Sequence, residues 1–139
     1  VLKIKRLGSV ATVIGLAAAG TIAATGTASA ATYNGACGSG YSVIDTKDVG
    51  TGTAYLTYSG STGKNCVVTV SDTPGTTMLL DARVRLHRTN LDWSDSEYDA
   101  GFFKYYAGPV YASAAGRCID WGGNAGTETW HVNYNVHCG

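Results

Sequence analysis

Beyond residue 30 the chain has no stretch in which apolar residues recur three and four positions apart, so an amphipathic-helix fold is excluded. Its one long apolar run, LGSVATVIGLAAAG at residues 7–20, falls short of the about 20 apolar residues that a membrane span needs. There is no C-x-x-C pair to begin a zinc site. There is no G-x-S-x-G elbow either; in Gly38-Ser39-Gly40 the glycines adjoin the serine, and the stretch reads as a turn. Beyond residue 30 the acidic residues outnumber the basic ones, ten to seven, which disfavours the counterion-releasing surface that nucleic acids require.

What is present begins with an export signal. Lys3, Lys5 and Arg6 precede the apolar run, and small residues follow it up to Ala28-Ser29-Ala30. This is the pattern of a secretory signal peptide over residues 1–30, cut so that the mature chain starts at Ala31. No cysteine follows the cut for lipid attachment, and the paired arginines of the twin-arginine route are absent. No membrane contact is expected after the signal is removed. Residues 31–139 then form one domain. That segment holds seven of the ten basic and all ten acidic residues, a formal charge of −3, so it is mildly acidic although the whole chain is neutral.

All four cysteines, Cys37, Cys66, Cys118 and Cys138, lie in the mature part, and an even number in a small exported domain reads as disulfides. Three pairings are possible. Cys37 with Cys66 and Cys118 with Cys138 is preferred, because each pair brackets a run of short strands. Pairing also removes the thiolate that a cysteine nucleophile would need.

The rest reads as strands. In MLLDARVRLH, Met78, Leu80, Ala82, Val84 and Leu86 share one face, expected to be the core, while Leu79, Asp81, Arg83, Arg85 and His87 share the other. Further strands are expected at 41–45, 53–58, 66–71, 102–106, 110–113, 117–121 and 130–137, separated by turn sequences such as SGSTGKN, DTPG and GGNAGT. Seven or eight short strands predict an all-β antiparallel sandwich or small barrel, stabilised by two disulfides. The C-terminal segment AGRCIDWGGNAGTETWHVNYNVHCG reads as a hairpin closed by a disulfide. On its returning strand Trp130, Val132, Tyr134, Val136 and Cys138 are expected on one face and His131, Asn133, Asn135 and His137 on the other.

Chemistry is harder to find. His131 and His137 with Asp120 would need one ion, yet six residues of strand separate the histidines by about 20 Å. Asp92, Asp95, Glu97 and Asp99 alternate as calcium ligands do, but Ala100 and Tyr106 stand where a glycine and a closing glutamate belong, so the segment reads as a solvated acidic loop. No metal or cofactor is expected. The aromatic residues are the better lead, because flat rings stack on sugars and anchor protein interfaces. Trp93, Trp121 and Trp130 are the candidate contacts, with Tyr106 and Tyr111 as secondary ones.

The stretches CGSGYSVID at 37–45, TGKNCVVT at 62–69 and YYAGPVYASAAGRCIDWGG at 105–123 resemble the spore-associated protein A family of secreted actinomycete proteins. The resemblance covers nearly all of the mature chain. It implies an exported protein associated with spores or the cell surface, and it brings no catalytic residues with it. The expected function is non-enzymatic attachment to a cell-wall or spore-surface polymer or protein through surface aromatic contacts. The alternative is a secreted protease inhibitor or other small effector that presents Asp72-Thr73-Pro74-Gly75 or the acidic loop to a protein target.

Overall fold

The computed structural model describes residues 31–139, and the expected signal peptide, residues 1–30, lies outside the described residues. Eight strands follow in order: β1 (Ser42–Asp48), β2 (Gly52–Ser59), β3 (Lys64–Ser71), β4 (Met78–Leu86), β5 (Glu97–Phe103), β6 (Tyr106–Ser113), β7 (Ile119–Ala125) and β8 (His131–Val136). They build two four-stranded antiparallel sheets, ordered β1-β2-β3-β6 and β5-β4-β7-β8, in the expected all-β arrangement.

The alternation in β4 decides the core. Leu80, Ala82 and Val84 are fully buried, with Met78 and Leu86 packed at the margin. Leu56 and Val67 meet them from the other sheet, and Ile119 and Ala125 from β7. Register then places Trp121. It pairs with Val84, and directly opposed residues of an antiparallel pair project from the same face. Trp121 is therefore a core residue with no exposed surface, which corrects its reading as a surface contact.

Three boundaries differ from expectation. The acidic segment does not remain a loop: β5 begins at Glu97, so Asp99 lies within a strand paired to β4. The expected strand 102–106 is broken at Lys104 and Tyr105, where the chain leaves β5 in one sheet and enters β6 in the other. Gly122 and Gly123, expected in a flexible turn, sit inside β7. They serve close approach there: a Cβ on Gly122 would strike the His131 carbonyl, and one on Gly123 the Asp81 carbonyl.

The disulfides join Cys37 to Cys66 and Cys118 to Cys138. The first ties the segment from Ala31 to Tyr41 across the outer face of the first sheet, where Tyr33, Ala36 and Tyr41 cover Cys66 and Val68 in a second, smaller core. The second closes the β7–β8 hairpin. That hairpin carries a bulge: Ile119 pairs with Val136, but Trp121 pairs with Asn133, leaving one extra residue in β8. Asn135 occupies the bulge at φ 55°, a left-handed conformation that asparagine tolerates better than most residues. The bulge breaks the expected common face of Trp130 to Cys138. Val132 opposes Gly122 on the outer side, whereas Val136 opposes Ile119 and packs on the core.

Candidate functional site

The outer face of the β5-β4-β7-β8 sheet is not the solvated polar surface that its sequence implies. Asp81, Arg83 and Arg85 on β4, and Asp120 on β7, are all buried. β4 and β7 are the two central strands of the sheet, so their outward side chains can be covered from both flanks. Aromatic rings cover them. Tyr98 on β5 stands at one side, Trp130 at the start of β8 at the other, and Trp93 in the 87–96 connection above.

Arg83 lies at the centre. Its Nε donates to Asp81 Oδ1 at 2.7 Å and its Nη2 donates to Asp81 Oδ2, a bidentate pair two residues apart on one strand. Such a fork matches a carboxylate in direction as well as charge. The guanidinium carbon lies 3.4 Å from the centroid of the Trp130 ring, 5.5 Å from Trp93 and 5.7 Å from Tyr98. A weakly hydrated planar cation suits this place between rings better than an ammonium would. Above it opens a groove of about 580 Å³ whose walls include Leu79, Leu91, Trp93, Tyr98 and Trp130. Trp130 keeps 51% of its surface exposed and Tyr98 60%.

A second ionic group holds the walls of this groove together. Asp120, fully buried, accepts from Arg85 Nε at 2.8 Å and from the Asn135 backbone N–H at 2.9 Å, and it bonds His87 Nδ1 at 2.7 Å. Burial by itself would raise the Asp120 carboxyl pKa, but the Asn135 N–H, His87 and Arg85 outweigh it and hold the group below the usual carboxylate range. Arg85 in turn donates to the carbonyls of Asn90 and Asp92 and stacks 4.1 Å from the Trp93 ring. The Trp93 ring meets Tyr134 of β8 edge-on at 6.0 Å. One carboxylate thus fixes both the connection that carries Trp93 and the bulge of the strand that carries Tyr134.

The five aromatic residues singled out from sequence therefore lie in three places. Trp93 and Trp130 share the groove, and Trp121 is inside the sandwich. Tyr106 and Tyr111 are on β6, in the opposite sheet. Tyr111 packs edge-on against Tyr41 at 5.6 Å and donates its hydroxyl to the Cys37 carbonyl at 3.0 Å, and Tyr106 borders a depression of about 630 Å³ with Val70, Pro74 and Tyr105. That depression is the larger of the two, but its rings have no buried charged side chain beneath them. The groove over Arg83 is the more constructed site. Sequence reasoning missed Arg83, Asp81 and Tyr98. The available signal was Asp-x-Arg-x-Arg on the outward positions of a strand, unusual unless something covers those charges.

The acidic residues have other partners. Asp92 accepts from the Ser94 N–H at 2.9 Å, which holds its carboxyl below the usual range. Asp95 pairs with Arg88, and Asp99 accepts from the Gly108 N–H at 2.8 Å on the far side of β5. They do not converge on one point. Among the described residues no group of three or more His, Cys, Asp or Glu side chains is arranged to hold a metal ion. His137 pairs with Asp45 at 2.8 Å and so links the hairpin to β1.

Comparison with family models finds no match, and comparison with solved structures finds none. Among curated proteins, a spore-associated protein A from Streptomyces coelicolor is 44% identical over an alignment of 141 positions, which covers 96% of this chain and 88% of that protein. Identity of that degree over almost the whole length leaves no doubt of common descent, and the chain belongs to the spore-associated protein A family.

Proposed function

We propose that the protein is exported, cut after Ala30, and attaches without catalysis to a polymer or protein of the spore or cell surface through the groove over Arg83. The observation that carries this reading is Trp130, a half-exposed ring lying flat on a buried, charge-paired arginine at the edge of an open groove. Folding alone does not require a large ring to remain in water, and contiguous exposed rings mark interaction surfaces. Tyr134 and Phe102, also exposed on this sheet, add to the apolar surface. The relative's name, spore-associated protein A, supports a place at the spore.

A non-catalytic role is supported by how the polar groups are engaged. The four cysteines are consumed in disulfides, so none offers a thiolate, and among the described residues no histidine ring is hydrogen-bonded to a serine or threonine hydroxyl. The test is co-sedimentation of the exported protein with isolated spores and cell walls, using Trp93→Ala, Trp130→Ala and Tyr98→Ala variants checked for folding. The expected result is sedimentation of the parent and loss in folded Trp130→Ala. Equal sedimentation of parent and variant rejects the groove as the contact surface.

A further inference from the structure

We infer that the groove takes a neutral polysaccharide, with a sugar ring stacked on Trp130 or Tyr98 and its oxygens accepting from Arg83; this deepens the reading above and rests on it. The guanidinium of arginine carries five N–H groups. Arg83 directs two of them, on Nε and Nη2, to Asp81. The others, both on Nη1 and the second on Nη2, have no hydrogen-bond partner among the described residues, and Nη1 is not among the enclosed polar atoms left without one, so its N–H groups open to the groove that Arg83 lines. A cation fixed by its counter-ion, with further donors open to an aromatic groove, is placed to bond an oxygen-bearing ligand.

Charge narrows the class. Asp81 neutralises Arg83 and Asp120 neutralises Arg85, so neither cation is free to attract a polyanion, and the exposed Asp92 adds a negative charge at the rim. A cationic ligand fares no better, because the guanidiniums of Arg83 and Arg85 already lie against these rings, and Arg83 turns hydrogen-bond donors, not acceptors, to the groove. What remains is an uncharged ligand with apolar faces and closely spaced oxygens. A pyranose ring has both, since its axial C–H groups form a flat apolar face and its hydroxyls sit on adjacent carbons. A proline-rich chain, the other usual occupant of aromatic grooves, brings carbonyls to one side only about every 9 Å and matches the closely spaced donors on Nη1 and Nη2 poorly.

The experiment titrates the exported protein with soluble hexamers of N-acetylglucosamine and of glucose, read by tryptophan fluorescence and calorimetry. Decaproline and heparin are run beside them, and spore co-sedimentation is repeated on the same samples. The expected result is binding of at least one neutral hexamer, weakened about tenfold or more in Trp130→Ala and largely retained in Trp130→Phe. Its affinity should change little between about 0.05 and 0.5 M salt, where screened charge contacts would fade. If neither hexamer binds while Trp130→Ala still abolishes sedimentation on spores, the polysaccharide assignment is overturned and the contact surface stands. Trp130-dependent binding of decaproline or heparin in place of the hexamers overturns it in favour of those classes. If the parent does not sediment, or sediments no better than Trp130→Ala, the underlying reading fails with it.

Discussion

Replacing Asp120 by asparagine changes almost no volume yet should be among the most damaging single substitutions in the second sheet. The carboxylate has no solvent exposure, and Arg85 Nε, His87 and the Asn135 N–H converge on it. An asparagine amide presents one oxygen and one NH₂, so its NH₂ must face a donor, and the positive charge of Arg85 loses its counter-ion. Removing one partner of a buried ion pair costs about 3–5 kcal/mol, a large part of the roughly 5–15 kcal/mol by which domains are stable. Urea unfolding followed by far-UV circular dichroism at neutral pH measures the loss. The double variant Arg85→Met with Asp120→Asn should lose less than the two single changes added together, because it leaves no stranded charge. The pH dependence has a definite sign. The Asp120 carboxyl is held below its unfolded value of 3.8, so its contribution is complete above that value and is lost as pH falls through the lower, folded value. The parent should lose stability below about pH 4 more steeply than Asp120→Asn, which has no such group to protonate. A loss under about 1 kcal/mol at neutral pH, comparable to a surface pair, would refute the assignment of Asp120 as the group that holds this face together.

Further expectations concern the neighbours of this group and the frame beneath it. Trp121→Ala should cost about 3–5 kcal/mol through the cavity it leaves, whereas Trp130→Ala should change stability by less than about 1.5 kcal/mol and act on attachment instead; parallel unfolding curves separate the two. Gly123→Ala should destabilise strongly or prevent folding, since its Cβ has the Asp81 carbonyl and, at 2.5 Å, Thr69 Oγ1 in its way; a folded variant with parent-like stability would count against the strand spacing described. Replacing Cys37 and Cys66 together by alanine opens a link across 29 residues and should cost about 3–4 kcal/mol by chain entropy, measured by thermal unfolding against the disulfide-intact parent.

Much of the frame was legible before any coordinates. The alternation of Met78, Leu80, Ala82, Val84 and Leu86 is a local property of one strand, and it named the core face correctly. Of the three possible cysteine pairings, the one preferred because each pair brackets a run of strands is the one found, and the closed hairpin at the C-terminus agrees with its turn-rich centre. Period two, however, says only that a strand has two faces. It does not say which strands will flank it, nor what will lie over its second face. For that reason Asp81, Arg83 and Arg85 read as solvent-facing although they are buried, and Trp121 read as available although its register opposite Val84 turns it inward. The bulge at Asn135 has no signature that separates it from a plain strand residue, yet it moves Val136 to the core and leaves Val132 outside.

The class of fold belongs to the sequence, since bracketing cysteines and alternating side chains each act over short stretches of chain. The site belongs to the tertiary structure. Trp93, Tyr98 and Trp130 come from three separate segments, and only the order β5-β4-β7-β8 sets them around one arginine. That order rests on pairing between strands far apart in the chain, and a buried charge is tolerable only where such pairing brings both its counter-ion and its cover.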